Sequence, residues 1–485
     1  MLFDTAFNTV FQRVSVLLHE YGYQFSGVDV TKLILGYADD ICNMTHLALH
    51  NQAVVDVIQE WLEWSQTMKA KPKKCKATAL ALGKPVDPQL TISGSLMEYI
   101  GGSAFKFLGK RIRADVSDKA ARIKVREELE SAVQKLDKLL LTGSQKMWIF
   151  DAVLMSRISW DLLIHDMSPS FVAGLGALQT RKYKEWSHYA KTGNPTVFYR
   201  QSKHFGLQMK EMVPFFKKNQ LIKCHLLSTS SDEDVCKLYQ VRTDTEHQAK
   251  QSNDPVAKGT WRPTVELKPL LSEAKARKMI QGAQCGTGGL GLAPQKKKQD
   301  ATAEERAEVL RAFEDITEEQ RYIHSLSLEH FSEWVKWDNV LATDPQWTRW
   351  IMSAEDDLFR FNLAATEDVL PTPSVLKCWR KVTDASCNLC GHKNCTLRHI
   401  LCGCQTALKQ GRQTWRHDSV LYALYQQIRS MRNHGAAAHK LGLSLKRHTA
   451  RLCPQKAISS TLRVYLQLCL YSRPVMTGNC SLTSL

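Results

Sequence analysis

The sequence predicts an α+β protein, mostly helical, with a few short antiparallel strands near its start and a small metal-binding module near its end. Three observations carry that expectation. Apolar residues recur with a helical period over most of the chain. Short apolar runs broken by tight turns cluster before about residue 115. Between Cys387 and Cys404 the chain packs five cysteines and two histidines.

The elements follow in order. Residues 2–22 place Phe7, Val10, Phe11, Val14, Leu17 and Leu18 at helical spacing. After the turn "GYQFSG", the stretch "TKLILGYADDICNM" (31–44) reads as a buried hairpin with Asp39 and Asp40 at its tip. Residues 47–68 return to helical spacing through Val54, Val57, Ile58, Trp61 and Leu62. "KAKPKKCK" then holds five lysines in eight residues, and "ATALAL" reads as a strand. "FKFLGKRIRAD" (105–115) reads as a second strand pair. From residue 118 to about 223 the pattern is helical, with "AARIKVREELESAVQKLDKLLL" broken at Thr142–Gly143 and a more buried helix over 146–164. Residues 228–263 are polar and read as loop, and "GTGGLGLAPQKKKQD" (286–300) as a low-complexity break. Its Gly286-x-Gly288-x-x-Gly291 follows no strand and opens no helix, so it is a linker and not a dinucleotide fingerprint. Residues 301–370 carry 16 acids against 6 Lys/Arg, and Trp334, Trp337, Trp347 and Trp350 read as core. Residues 405–451 carry 9 Lys/Arg and one acid. The chain therefore divides into 1–115 (mixed), 116–227 (helical), 228–300 (linker), 301–380 (acidic, helical), 381–425 (metal module and basic helix) and 426–485 (basic tail).

Composition narrows the functions. Lys plus Arg outnumber Asp plus Glu by 65 to 48, a formal charge of +17, which suits a polyanionic partner such as nucleic acid. No apolar run approaches the ~20 residues of a membrane span. Met1–Glu20 has no basic start and holds Asp4 and Arg13 within its apolar pattern, unlike a secretory signal. Fourteen cysteines, scattered apart from the one dense group, point to a reducing compartment and to metal binding.

Two constellations carry chemistry. In "CNLCGHKNCTLRHILCGC", Cys387-x2-Cys390 points two thiolates at one ion, and a later His and Cys complete a tetrahedral Zn2+ site. His399 and Cys404 fit, with His392, Cys395 and Cys402 as spare candidates. Around the group lie Lys393, Arg398, Lys409, Arg412 and Arg416, with Trp415 among them. Cations meet phosphates, and an aromatic ring stacks on an unpaired base. At the hairpin tip, Asp39 and Asp40 are either a solvated turn or carboxylate ligands for Mg2+, which takes such oxygens together with substrate phosphates.

In order along the chain, several stretches resemble the reverse transcriptases of LINE-type (non-LTR) retrotransposons. "YADD" between apolar strands resembles their central catalytic motif. "KAKPKKC" resembles the basic motif after the palm helix, and "FKFLGK" the primer-grip hairpin. "LDKLLLTGSQKMWIFDAVLMSRISWDLL" resembles the thumb. "FNLAATEDVLPTPSVLKCW" with the following Cys/His group resembles the C-terminal region that carries a zinc knuckle. The resemblance covers roughly residues 1–425. It implies a partial polymerase palm over 1–115, a thumb over 116–227 and a CCHC knuckle of Cys387, Cys390, His399 and Cys404. It implies Asp39 and Asp40 as ligands of a two-Mg2+ site and Tyr37 beside the primer–template minor groove. Lys74 would act near the incoming triphosphate, with Lys71 and Lys73 on nucleic acid, and Phe107, Leu108 and Gly109 beside the primer end. The partners implied are an RNA template and a DNA primer or target, in the nucleus, with no membrane.

One departure is as informative. The family places another catalytic Asp on an earlier strand, ahead of a nucleotide-selecting segment and its helix. Met1–Glu20 resembles that helix, and Asp4 suits a helix cap better than a metal ligand. The expectation is a fragment that lacks the fingers and the first catalytic Asp, and is inactive as it stands. No acid lies between Cys453 and Leu485, so the nuclease that can follow the knuckle is not expected. The alternative expectation is a non-enzymatic, zinc-dependent nucleic-acid-binding remnant.

Overall fold

The structure, a computed structural model, describes residues 2–37, 40–66, 68–101, 104–113, 118–251, 298–328 and 347–440. These are mostly helical, with short strands confined to the first 112 residues. Among the described residues the strands form six two-stranded pairs. Five are antiparallel; Lys76–Ala77 with Glu98–Tyr99 is parallel. No helix among them is long and apolar enough to cross a membrane.

Two compact units emerge. The first comprises 1–139, 150–177 and 211–316. Here the helices Leu2–Leu18 and Ala48–Ser65 pack through their apolar stripes, burying Phe7, Val10, Val14, Val54, Ile58 and Trp61 with Leu33. The Phe7 and Trp61 rings meet edge-on at 5.4 Å, and the Trp61 indole donates to Thr9 Oγ1 at 3.0 Å, so its one polar atom is satisfied. Gln66, at φ 55°, ends the second helix. On the other side of that helix, Val55 packs with Ala77, Leu90, Ile92 and Met97. Gln52 stands in for a strand there: its amide accepts from Thr91 N at 2.8 Å and donates to Thr91 O at 2.9 Å.

The hairpin Ile34–Tyr37/Asp40–Asn43 lies on the first helix pair, with Ile34 and Ile41 packed against that core. Gly36 lets the Phe11 ring lie close: a Cβ there would push the ring aside. The hairpin is not buried throughout, because Leu35 and Tyr37 point to solvent. The helix Lys119–Asp137 buries Ala121, Val125, Leu129, Val133 and Leu136, at spacings of four and three. It stops short of the expected Leu141, and Leu140 is fully exposed. The expected 146–164 helix is interrupted by a π turn, Phe150–Leu154, between Gly143–Ile149 and Met155–Ile164. Met155–Ile164 packs on Met212–Ser228, whose Gln220 amide donates to the carbonyls of Leu162, Leu163 and His165 and so satisfies the helix end. Buried His165 meets Asp118 Oδ1 through Nδ1 at 2.5 Å. Burial would raise the Asp118 pKa, but the hydrogen bonds from His165 and from Asp166 N, with the charges of His165 and Lys110, hold it below the usual carboxylate range.

Within the stretch expected to be linker, Glu233–Gln251 is a helix. Tyr239 packs on Leu221, Cys224 and Phe313, and Arg242 Nη2 pairs with Asp166 at 2.7 Å. The Gly286–Gly291 run lies outside the described residues, as do Trp334 and Trp337.

The second unit comprises 140–149, 178–210 and 317–485. Tyr183, Trp186, Tyr189, Phe198 and Tyr199 form an aromatic core. Arg200 is wholly buried beside them, paired with buried Glu367 and donating to Ser325 Oγ at 3.0 Å. Glu318 accepts from Gln201 N at 2.8 Å and pairs with His204 at 2.7 Å. Trp347 is core, as expected, packed edge-on against Phe205 at 5.3 Å. The helix Arg412–Lys440 continues through position 425, where the basic tail was expected to begin.

Candidate metal centre and nucleic-acid surface

Cys387, Cys390, His399 and Cys404 come together as the sequence implied: their ligand atoms all lie within 4.8 Å of one another. The local fold explains why. Cys387 N donates to His392 O at 2.8 Å, and Gly391 N returns to Cys387 O at 2.8 Å, closing a tight turn around the CxxC pair. Gly391 sits at φ 71°, a conformation that suits glycine. Cys395 N donates to Ala385 O at 2.8 Å and clamps the two ends of the loop. His399 opens a π turn, His399–Gly403, that delivers Cys404 to the start of the helix Gln405–Lys409. Thr406 Oγ1 ties that helix to Leu389 O at 3.1 Å.

The donor spacing fits zinc. A tetrahedral site with Zn–S near 2.3 Å and Zn–N near 2.0 Å has S···S edges of about 3.8 Å and S···N edges of about 3.5 Å. Cys387 Sγ and Cys404 Sγ lie 3.9 Å apart, and Cys390 Sγ lies 3.3 Å from His399 Nε2. The N–H groups of Leu389 and Cys390 draw the Cys387 thiol down to about 6, the thiolate form a metal takes. At Cys390 the N–H of His392 pulls the same way, but burial and the neighbouring thiols of Cys387 and Cys404 push it up.

The spare candidates fall into other roles. His392 stacks on the His399 ring at 4.7 Å and helps to orient it. Cys395 is buried beside the cluster, and burial raises its thiol to about 11. Cys402 is exposed and donates to Arg398 O at 3.1 Å.

The other expected residues are spread over several sites. The ladder pair Tyr37↔Asp40 closes the first hairpin and brackets positions 38 and 39, which lie outside the described residues, Asp39 among them. Asp40 is exposed, and Tyr37 is 71% exposed. Lys71, Lys73 and Lys74 are exposed on and beside the turn Pro72–Lys74. Phe107, Leu108 and Gly109 sit at the end of the hairpin Phe105–Phe107/Lys110–Ile112. Its two-residue turn has Leu108 at φ 46° and Gly109 at φ 82°. A Cβ on Gly109 would strike the Trp160 indole, so Trp160 supports this turn, and nothing in the local sequence signalled it. Arg412 and Trp415 are exposed. Arg416 instead donates to Leu401 O, anchoring the helix Arg412–Lys440 to the metal module. Tyr422, Tyr425 and Arg429, exposed on the same helix, were missed. Their spacing from Trp415 was the signal available.

Compared with known proteins, the chain matches no family model and no curated sequence.

Proposed function

We propose that the chain is part of an RNA-directed DNA polymerase of the non-LTR retrotransposon kind, with palm elements in 1–115, a thumb in 116–227 and a zinc knuckle in 381–425. The observation that carries this reading is the hairpin tip: Tyr37 and Asp40 close a ladder braced on two packed helices, with Gly36 against the Phe11 ring. The exposed lysine turn and the Leu108–Gly109 turn seated on Trp160 follow in the order the resemblance requires.

Asp40, and Asp39 beside it in the chain, offer the oxygen donors that Mg2+ takes. When bound, such ions supply charge neutralisation at a transferring phosphoryl group. The chain's own residues do the positioning. Tyr37 offers an exposed ring beside the tip, Lys71, Lys73 and Lys74 meet phosphates, and the Leu108–Gly109 turn seats the primer end. In the knuckle, Zn2+ matches three thiolates and one imidazole. Cys387, Cys390, His399 and Cys404 would hold that ion beside the helix Arg412–Lys440, which carries Arg412 and Trp415.

A second reading, a zinc-dependent nucleic-acid-binding protein without catalysis, is favoured by one observation. The Cys/His group brings four donor atoms within 4.8 Å of one another, next to a helix on which Arg412 and Trp415 are exposed. Anisotropy titrations separate the two. The polymerase reading expects a recessed RNA–DNA hybrid to bind more tightly than blunt duplex DNA, with the preference reduced in Leu108→Asp. Equal affinity for all substrates supports the second reading. Primer extension by the 485 residues alone is expected to be absent. Extension abolished by Asp39→Ala would show that these residues hold a complete catalytic site.

A further inference from the structure

We propose that Trp415, Tyr422 and Tyr425, flanked by Arg412 and Arg429, form a face that binds single-stranded nucleic acid by stacking on its bases. This goes beyond the reading above and requires nothing of the hairpin.

The helix Arg412–Lys440 is held by one side. Arg416 donates to Leu401 O, and Val420 and Leu424 on that side are half-buried. The other side is open: Trp415 is 49% exposed, Tyr422 64% and Tyr425 57%. Residues seven apart on a helix differ by only about 20° around its axis. Trp415, Tyr422 and Arg429 therefore form one stripe, with Tyr425 a turn beyond Tyr422. Trp415 and Tyr422 stand about 10 Å apart along the axis, far enough to engage separate bases.

Charge selects the occupant. Residues 405–451 carry 9 Lys/Arg and a single acid, Asp418, which pairs with His417 at 3.0 Å. Lys409, Arg412 and Arg429 are exposed around the stripe. A second copy of this basic helix would repel the first. The apolar seam it could use, Leu421 and Ile428, spans one heptad, where a coiled coil needs three or four. A single strand meets both demands, because its phosphates answer the arginines and its unpaired bases have faces to stack. Duplex offers the phosphates but keeps its bases stacked internally.

The test uses the zinc-loaded full chain, with dye-labelled oligothymidylate, oligouridylate and a duplex of equal length. Tyr422→Ala and Tyr425→Ala should each weaken single-strand binding about tenfold, with duplex binding unchanged, while Tyr422→Phe and Tyr425→Phe retain it. Oligothymidylate should quench tryptophan emission in the wild type and less in Trp415→Phe. Alanine favours helix, so the variants should keep their zinc and helical signal. Unchanged single-strand affinity in the alanine variants would overturn the proposal. So would equal loss for duplex and single strand, or a wild-type dimer that the alanine substitutions dissociate.

Discussion

At the hairpin tip, Tyr37 and Asp40 stand out into solvent, and the support lies beneath them in two packed helices. In the Cys/His module the chain wraps 18 residues around its four donors, and three of the cysteines at its centre are buried. The two regions carry the most telling motifs in the chain and are built in opposite ways. The hairpin is a mount braced on packed helices. The module brings four donor atoms within 4.8 Å of one another and has few apolar residues to hold it otherwise. Sequence motifs mark both alike; the geometry shows how differently they are supported.

The largest effect should come from breaking the module. Cys387→Ser or Cys390→Ser should release the metal and melt residues 385–405, since structural zinc contributes on the order of 10 kcal/mol to folding such a loop. Elemental analysis and loss of amide protection in that segment check this, with the helices of the first unit unaffected. Metal retained at full occupancy would mean that other ligands hold it.

The converse experiment attacks the hairpin's mount. Trp61→Ala should cost about 3–5 kcal/mol, seen as an early unfolding transition of the first unit, with zinc content unchanged. Zinc loss in this variant would break the separation of the two regions.

A smaller effect concerns acid. Asp118 has its pKa depressed by His165, Asp166 N and Lys110 against the pull of burial. Its contribution is therefore fully present above the unfolded carboxylate value, near 3.9, and fades as pH falls through the lower folded value. Asp118→Asn should flatten the acid limb of stability against pH and leave the metal module's own pH dependence in place. An unchanged acid limb would assign acid sensitivity to other carboxylates.

The smallest effect is on salt dependence. Replacing Lys71, Lys73 and Lys74 together should lower the slope of log affinity against log salt by up to about three contacts' worth. An unchanged slope would make the lysine turn a solvated surface that meets no phosphate.

Much of this was legible in the sequence because it is local. The stripe Val54, Ile58 and Trp61, the ladder around "YADD" and the cysteine spacing each lie within a few turns of chain. The rest depends on partners far apart in sequence. Arg200 with Glu367, Glu318 with His204, and Trp160 beneath Gly109 have no local signature. The helix Glu233–Gln251 read as linker because ion pairs and one tyrosine hold it, where an apolar stripe would have announced it.

The most direct test is zinc-edge X-ray absorption on the purified chain, calibrated by elemental analysis. The proposed ligand set predicts one zinc per chain with three sulfur neighbours and one nitrogen, the nitrogen signal lost in His399→Ala. A two-sulfur, two-nitrogen shell, or a nitrogen signal that survives His399→Ala, would contradict the ligand set, and absence of zinc would contradict the metal centre itself.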